Sequence, residues 1–146
     1  MNLISLEPIT SVTPLEFYIY FSFYYILALL VRLGFYFLSK ATNGKFYFYK
    51  PKENIVLLVI VSSIFEELIF RGIPYFLTGN PKLVFLGTVV WSIFHRYPSV
   101  IASSFIFGIL LYRYWIGGLW VYAILSHLIL NSLNTLIIIT FLREEG

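Results

Sequence analysis

The sequence lacks cysteine altogether, which excludes disulfides, thiol nucleophiles and thiolate metal ligands. It is also poor in charge: charged residues make up 12% of its 146 residues, against about 25% in a typical soluble domain. Conversely, 60% of the residues are hydrophobic and 21% are aromatic. So small a polar fraction cannot cover a globule in water, and we expect most of the surface to face lipid.

The net charge of +3 comes from basic residues that lie mainly at the ends of apolar runs. This distribution indicates orientation in a bilayer rather than nucleic-acid binding. The N-terminus lacks the basic region of a secretory signal peptide, and its first apolar run is too long for one. Because a helical span needs about 20 apolar residues, the chain has room for about five spans. The predicted fold class is an all-α, polytopic transmembrane helix bundle, with residues 1–146 forming a single transmembrane domain.

Capping and breaking residues set the expected helix boundaries. Thr13, Pro14 and Glu16 have the pattern of a capping box with proline at the first helical position. Later boundaries are marked by the pairs Asn80-Pro81, Tyr97-Pro98 and Gly117-Gly118. The predicted helices cover residues 15–38, 54–77, 81–96, 99–115 and 119–142, and a lysine-rich polar loop separates the first two.

The basic residues also predict an orientation. If five spans alternate, one side of the membrane carries Lys40, Lys45, Lys50, Lys52, Arg96 and Arg143, and the other carries Lys82 and Arg113. The positive-inside rule then places the N-terminus outside and the C-terminus in the cytoplasm. We further expect the protein to lie in the plasma membrane of a prokaryote. We expect Arg96 and Arg113 to anchor at the interface, and Arg32 to extend from its helix toward the Lys40 side, with binding of a substrate carboxylate as the less favoured alternative.

Polar residues inside the apolar helices are the candidates for function, because a charge in the bilayer interior costs at least about 2.5–3.5 kcal/mol. They form three groups, each at helical spacing: Glu66, Glu67 and Arg71; Trp91 and His95; His127 and Asn131. Glu67 and Arg71 are four residues apart and are predicted to form a supporting ion pair, whereas Glu66 points about 100° away.

Depth relates the three groups to one another. Counted from the turns at residues 78–80 and 117–118, Glu66, His95 and His127 lie at depths of roughly 18, 22 and 14 Å at 1.5 Å per residue. The hydrocarbon core is about 30 Å thick, so all three converge near its middle. A carboxylate with an imidazole can polarise a water for attack on a carbonyl, and a second imidazole with an amide can bind the resulting oxyanion.

Taken in order, the motifs EELIFRG, WSIFH and HLILN resemble the CPBP family of intramembrane proteases, which includes the CAAX proteases, the bacteriocin-processing (Abi) proteins and the Rce1-like prenyl-protein endopeptidases. The resemblance covers about residues 55–140. It implies a glutamate-type endopeptidase that acts on membrane-associated proteins or peptides, including prenylated CAAX-type ones.

The resemblance also implies roles for individual residues. Glu66 and His95 would activate water, His127 and Asn131 would form the oxyanion hole, and Glu67 with Arg71 would support them. Trp91 departs from the phenylalanine usual in the family, and we expect this to change packing while leaving the chemistry intact. Larger members carry more helices before the first motif, so the substrate class stays open and the short chain raises homo-oligomerisation as an alternative.

A zinc site is the main rival to this chemistry, because two histidines and a glutamate are a known zinc ligand set. The signature HExxH and any compact ligand spacing are absent, so the prediction is that the protein needs no cofactor or metal. Family members have often been labelled metalloproteases, while the glutamate-activated water needs no metal.

Two non-proteolytic alternatives stay open. The short chain is compatible with a non-catalytic membrane scaffold or a bacteriocin-immunity-type protein of the same fold. Intramembrane carboxylates and histidines are also typical of small proton-coupled transporters, although the absence of internal inverted repeats disfavours that alternative.

Overall fold

The structure, a computed structural model, describes residues 1–42 and 55–142, and in those ranges every regular element is a helix. The elements are α1 (Pro14–Ala41), α2 (Ile55–Glu67), a π-helical turn (Leu68–Gly72), α3 (Ile73–Thr78), α4 (Pro81–Ile93), α5 (Pro98–Ile116) and α6 (Trp120–Leu142). The π-turn joins α2 to α3, so the described chain forms five helical segments. The all-α prediction is confirmed.

Three of these helices, α1, α5 and the 120–137 part of α6, are long and apolar enough to cross a membrane, and α4 is a shorter apolar helix. Large apolar side chains on the outer face of α1 are exposed, among them Leu15, Ile26, Leu30 and Phe37. In a bilayer these side chains would face lipid, whereas in water they would form a large apolar surface. The protein is an integral membrane protein.

The predicted caps are present. Thr13 accepts a hydrogen bond from the Glu16 amide at 3.2 Å and its own amide donates to the Glu16 carboxylate at 2.8 Å, which completes the capping box of α1. Asn80 caps α4 by accepting from the Lys82 amide at 3.0 Å. These caps satisfy backbone donors at helix ends that would otherwise lack partners.

The third helical segment ends earlier than predicted. The sequence indicates a helix to about Arg96, but α4 ends at Ile93, and Arg96 adopts a left-handed conformation with φ of 65°. A residue before a proline is disfavoured from helical backbone angles. Here residues 94–97, which precede Pro98, form the turn that leads into α5. His95 therefore lies in this turn and not within the helix.

The π-turn was not predicted, because the sequence reads as one uninterrupted helix over residues 54–77. The amide of Ile73 donates to the Leu68 carbonyl five residues earlier. Pro74 has no amide hydrogen, so the Phe70 carbonyl lacks its α-helical donor. Gly87 of α4 packs directly on that carbonyl: a Cβ atom at Gly87 would lie 1.8 Å from the Phe70 oxygen.

α5 is the central helix of the bundle and packs against α1, α4 and α6, while α2 packs against α6. Its completely buried side chains form the middle of the core: Phe107, Leu110, Leu111, Tyr114 and Trp115. Because α2, α4, α5 and α6 surround one region, side chains distant along the chain meet there.

Arg113 on α5 corrects a prediction. It does not anchor at the membrane interface but is 2% exposed. Its guanidinium donates to the carbonyl oxygens of Asn2 at 2.8 Å and Glu7 at 2.9 Å, and to the Tyr24 hydroxyl at 3.1 Å. A buried cation needs such partners, and here the backbone of the N-terminal segment supplies them. Arg113 therefore fixes residues 2–9 against the bundle.

The predicted lysine-rich loop and Lys45, Lys50, Lys52 and Arg143 lie outside the described residues. The orientation that depends on them stays a prediction.

Candidate active site

Glu67, the last residue of α2, is completely buried and its carboxylate accepts three hydrogen bonds. The donors are Arg71 Nη1 at 2.6 Å, His127 Nδ1 at 2.7 Å and Trp115 Nε1 at 2.7 Å. They come from the π-turn, α6 and α5. Three donors around a buried carboxylate offset the large cost of removing it from water. The predicted Glu67–Arg71 ion pair is confirmed.

Arg71 extends this network to α4. Its Nε donates to the Thr88 hydroxyl at 3.0 Å, and its guanidinium lies over the Trp91 ring, 4.6 Å from the centroid. Thr88 in turn donates to the carbonyl of Val84 at 3.1 Å. The ion pair therefore ties α2 and the π-turn to α4 through a hydrogen bond and a cation–π contact.

Glu66 has different surroundings from its neighbour. Its side chain is 33% exposed, and Oε2 accepts a hydrogen bond from Trp91 Nε1 at 2.6 Å. The same oxygen lies 3.5 Å from His127 Nε2. No hydrogen bond to Oε1 is formed by the described residues, so this oxygen is free to accept one.

His127 lies between the two glutamates and is 1% exposed. A carboxylate can only accept, so Nδ1 must carry the proton that it shares with Glu67. This bond fixes the ring and directs Nε2 toward Glu66. The sequence grouped His127 with Asn131 but gave no reason to place it between the two carboxylates.

His95 lies in the turn after α4 and is half-buried. Its Nδ1 is 2.9 Å from the carbonyl oxygen of Trp91 and must donate to it, which leaves Nε2 as the free ring nitrogen. The His95 ring is 4.8 Å from the Trp91 ring, and the His127 ring is 5.2 Å from it on an edge-to-face geometry. Trp91 thus contacts both imidazoles as well as Glu66.

Asn131, one turn after His127, donates through Nδ2 to the Ser63 hydroxyl at 2.8 Å. It also lines a cavity of about 110 Å³ between α1, α5 and α6. The polar side chains of this cavity are Tyr25, Arg32, His95, Ser103, Ser104, Asn131 and Asn134. Arg32 therefore lies in the cavity wall beside this polar group, a location that the sequence did not indicate.

All the residues predicted from sequence for the site lie in one region. Glu66, His95 and His127 share the Trp91 ring, Glu67 and Arg71 lie behind them, and Asn131 shares the cavity with His95. The convergence expected from helix depths is thus seen in the structure, whereas the role of each side chain is a separate question.

Some residues of the network were not found from sequence. Trp115 is 48 positions from Glu67, so no local spacing relates them. Ser63 and Thr88 did carry a signal, since each is on the same helical face as a motif residue: Ser63 precedes Glu67 by four positions, and Thr88 precedes Trp91 by three.

Within the described ranges, no three or more histidine and acidic side chains are arranged to hold a metal ion. Nδ1 of each histidine is used in a hydrogen bond within the protein.

No curated protein and no solved structure is detectably similar to this chain. A family model does match: it is described as type II CAAX prenyl endopeptidase Rce1-like and covers residues 51–133. This is more than half of the chain and includes every residue of the three motifs. The chain belongs to the Rce1-like family of type II CAAX prenyl endopeptidases.

Proposed function

We propose that this protein is an intramembrane endopeptidase that hydrolyses a peptide bond with a water molecule activated by Glu66. The observation that carries the proposal is the contrast between two adjacent glutamates. Glu67 is completely buried and bound by three donors, whereas Glu66 is 33% exposed and its Oε1 accepts no hydrogen bond from the described residues. A base needs access to water, and Glu66 is the more exposed of the two glutamates.

Glu66 and His95 act together on the water. The other described residues form no hydrogen bond to Oε1 of Glu66 or to Nε2 of His95. Both atoms are therefore available to bind the water. Glu66 takes a proton from the water, whose oxygen forms a bond to the substrate carbonyl carbon. When the tetrahedral intermediate collapses, the C–N bond breaks and the proton is returned to the leaving amine.

His127 and Asn131 stabilise the oxyanion of that intermediate. An asparagine amide has two hydrogens, and Asn131 uses one for Ser63, so the second is available. Nε2 of His127 lies 3.5 Å from Glu66, and to act as a donor it must carry a second proton besides the one on Nδ1. Donors fixed before the reaction stabilise a developing charge without reorganisation, which is the basis of an oxyanion hole.

Glu67 and Arg71 support this arrangement without touching the substrate. Glu67 holds the protonated Nδ1 of His127 and thereby fixes the orientation of the ring, and Arg71 holds Glu67. This is the orienting role that a carboxylate has toward a histidine in other hydrolases.

The polar side chains of the cavity are suited to a substrate that carries a carboxylate, such as the carboxyl terminus of a CAAX-type protein. Among the described residues, Arg32 has no hydrogen-bonded or ion-paired partner, and the buried Tyr25 hydroxyl lacks one as well. An unpaired guanidinium in the cavity that His95 and Asn131 also line is suited to bind a carboxylate. Matched peptides ending in a free carboxylate or an amide test this: Arg32→Met should remove any preference for the acid.

The test of the proposed function uses purified protein in lipid nanodiscs and a membrane-anchored fluorogenic peptide, with and without a prenyl group. Glu66→Gln and His95→Ala should each lower kcat by about 100-fold or more, the usual contribution of a general base. Glu7→Gln is the matched control, because Glu7 is an exposed glutamate far along the chain from the motifs.

Wild-type rates from Glu66→Gln would contradict the proposal. If that variant lost hydrolysis yet kept the biological activity of the protein, the scaffold or immunity alternative would replace it. The protein can also be reconstituted into liposomes of the same lipids. Ion flux into these liposomes that Glu66→Gln abolishes would favour the transporter.

The Rce1-like family and the apolar helices place the protein in a membrane. We further propose a prokaryotic plasma membrane and, from the distribution of basic residues, a cytoplasmic C-terminus. Cysteine-accessibility labelling at residues 2 and 146, in a chain with no native cysteine, would test this orientation.

A further inference from the structure

We propose that Trp91 is a positioning residue that holds Glu66 in its reactive orientation through the indole N–H. The inference rests on the proposed function and adds to it a residue that the catalytic roles above do not include. It concerns the one motif position at which this chain carries tryptophan where the family usually has phenylalanine.

Each of the two neighbouring glutamates accepts a hydrogen bond from one indole N–H. Trp91 Nε1 donates to Oε2 of Glu66 at 2.6 Å, and Trp115 Nε1 donates to Oε2 of Glu67 at 2.7 Å. The indoles come from different helices, α4 and α5. Since the indole nitrogen is a donor only, each bond selects the carboxylate oxygen that accepts it and fixes the direction of the other oxygen.

Trp91 is itself held rigidly. It is 2% exposed, the Arg71 guanidinium lies 4.6 Å from its ring centroid, and the rings of His95 and His127 contact it at 4.8 and 5.2 Å. A donor confined in this way fixes the position of its acceptor, and Oε1 of Glu66, which accepts no hydrogen bond from the described residues, is directed accordingly. A catalytic group gains rate from such fixed geometry.

A phenylalanine at this position would keep most of the aromatic contacts but could not donate to Glu66. The expectation that Trp91 changes packing alone is therefore incomplete. The hydrogen bond is a polar contact with the proposed base, and its removal would leave Glu66 free to rotate about its side-chain torsions.

The kinetic test separates the N–H from the shape of the ring. Trp91→Phe removes both the donor and part of the ring, while incorporation of 3-benzothienylalanine at position 91 replaces only the N–H by sulfur. Both variants should lower kcat about 10- to 100-fold, the range for a lost hydrogen bond to a charged group, with KM little changed. Trp120→Phe, at a partly exposed tryptophan outside the site, should keep the wild-type kcat.

A second measurement does not depend on activity. The protein has three tryptophans, so an indole ¹H–¹⁵N spectrum contains three side-chain signals, which single Trp→Phe variants assign. Glu66→Gln should move the Trp91 signal upfield most strongly, because a charge-assisted bond becomes a neutral one. Glu67→Gln should do the same to Trp115, and Trp120 serves as the reference.

The outcomes are distinguishable. Full kcat in the benzothienyl variant would overturn the positioning role, and an unmoved Trp91 signal in Glu66→Gln would overturn the contact itself. If the wild-type protein hydrolysed no peptide, the proposed function would fail and the positioning role with it. The indole spectrum would then still decide whether Trp91 binds Glu66.

Discussion

Oε1 of Glu67 and Nη1 of Arg71 lie 2.6 Å apart, and both side chains are completely buried. A pair of this kind gains little over an apolar replacement of both residues, but the loss of one partner leaves an uncompensated charge in a medium that solvates it poorly. The pair is therefore a point at which a single substitution affects the whole site.

Arg71→Met should destabilise the protein by about 3–5 kcal/mol, the range for breaking a buried ion pair. It leaves Glu67 with two of its three donors and removes the contact with Thr88. Thermal unfolding in a fixed detergent measures the effect. Lys82→Met is the control, because Lys82 is exposed. An equal melting temperature for both variants would show that the pair is unimportant for stability.

Gly87→Ala should destabilise the helix crossing between α4 and the π-turn. The added methyl group would lie 1.8 Å from the Phe70 carbonyl oxygen, which belongs to the backbone and cannot rotate away. Gly34→Ala in α1 is a matched control, since no heavy atom lies within 4 Å of its added Cβ. Alanine is favoured over glycine by about 1 kcal/mol inside a helix, so the control should be neutral or stabilising. Melting temperatures that change alike would contradict the close packing.

Asn131→Ala should lower kcat by about 100- to 1,000-fold, the usual effect of removing one oxyanion-hole donor, while KM changes little. Ser62→Ala provides a control next to Ser63, because among the described residues its hydroxyl bonds only to the carbonyl of Val59 in its own helix. The measurement is steady-state hydrolysis of the anchored peptide. A change confined to KM would assign Asn131 to substrate binding instead.

Arg113→Gln should release the N-terminal segment. The wild-type side chain donates to the carbonyl oxygens of Asn2 and Glu7, and the backbone of Ile9 donates to the Arg113 carbonyl at 3.1 Å. Hydrogen–deuterium exchange of the amides in residues 2–9 should accelerate, while that of α5 stays slow. Lys82→Gln is the control. Unchanged exchange of residues 2–9 in Arg113→Gln would show that Arg113 does not hold the N-terminal segment.

Activity should persist in chelator, because the proposed mechanism uses a water activated by Glu66 and His95 alone. The assay is peptide hydrolysis after dialysis against a zinc chelator, with elemental analysis of the same sample. One zinc ion per chain together with loss of activity on its removal would overturn the metal-free mechanism. Restoration by added zinc would strengthen that opposite conclusion.

The sequence was sufficient to predict the helical class and the residues that meet in the site. Apolar runs, caps and glycine or proline breaks follow local rules, and polar residues in apolar helices are costly enough to stand out. The ion pair of Glu67 and Arg71 was predictable because four residues of helix separate them.

The remainder depends on side chains that are distant in sequence. Nothing local relates Trp115 to Glu67 or Arg113 to the backbone of Asn2, so these contacts could not be predicted. Arg113 was assigned to the membrane surface because a lone arginine near a helix end usually lies there, and only the folded N-terminal segment supplies the acceptors that allow its burial.

The π-turn at Leu68–Gly72 lies directly after the two glutamates, and it acts as a one-residue insertion in an otherwise regular helix. Deleting a single residue from this turn would restore the ordinary helical period and turn α3 about 100° around the axis relative to Glu66 and Glu67. Glu66 and Glu67 could then keep their present contacts only if α3 lost its own, and the reverse. The length of this segment, counted residue by residue, is thus as restrictive as the chemistry of its side chains.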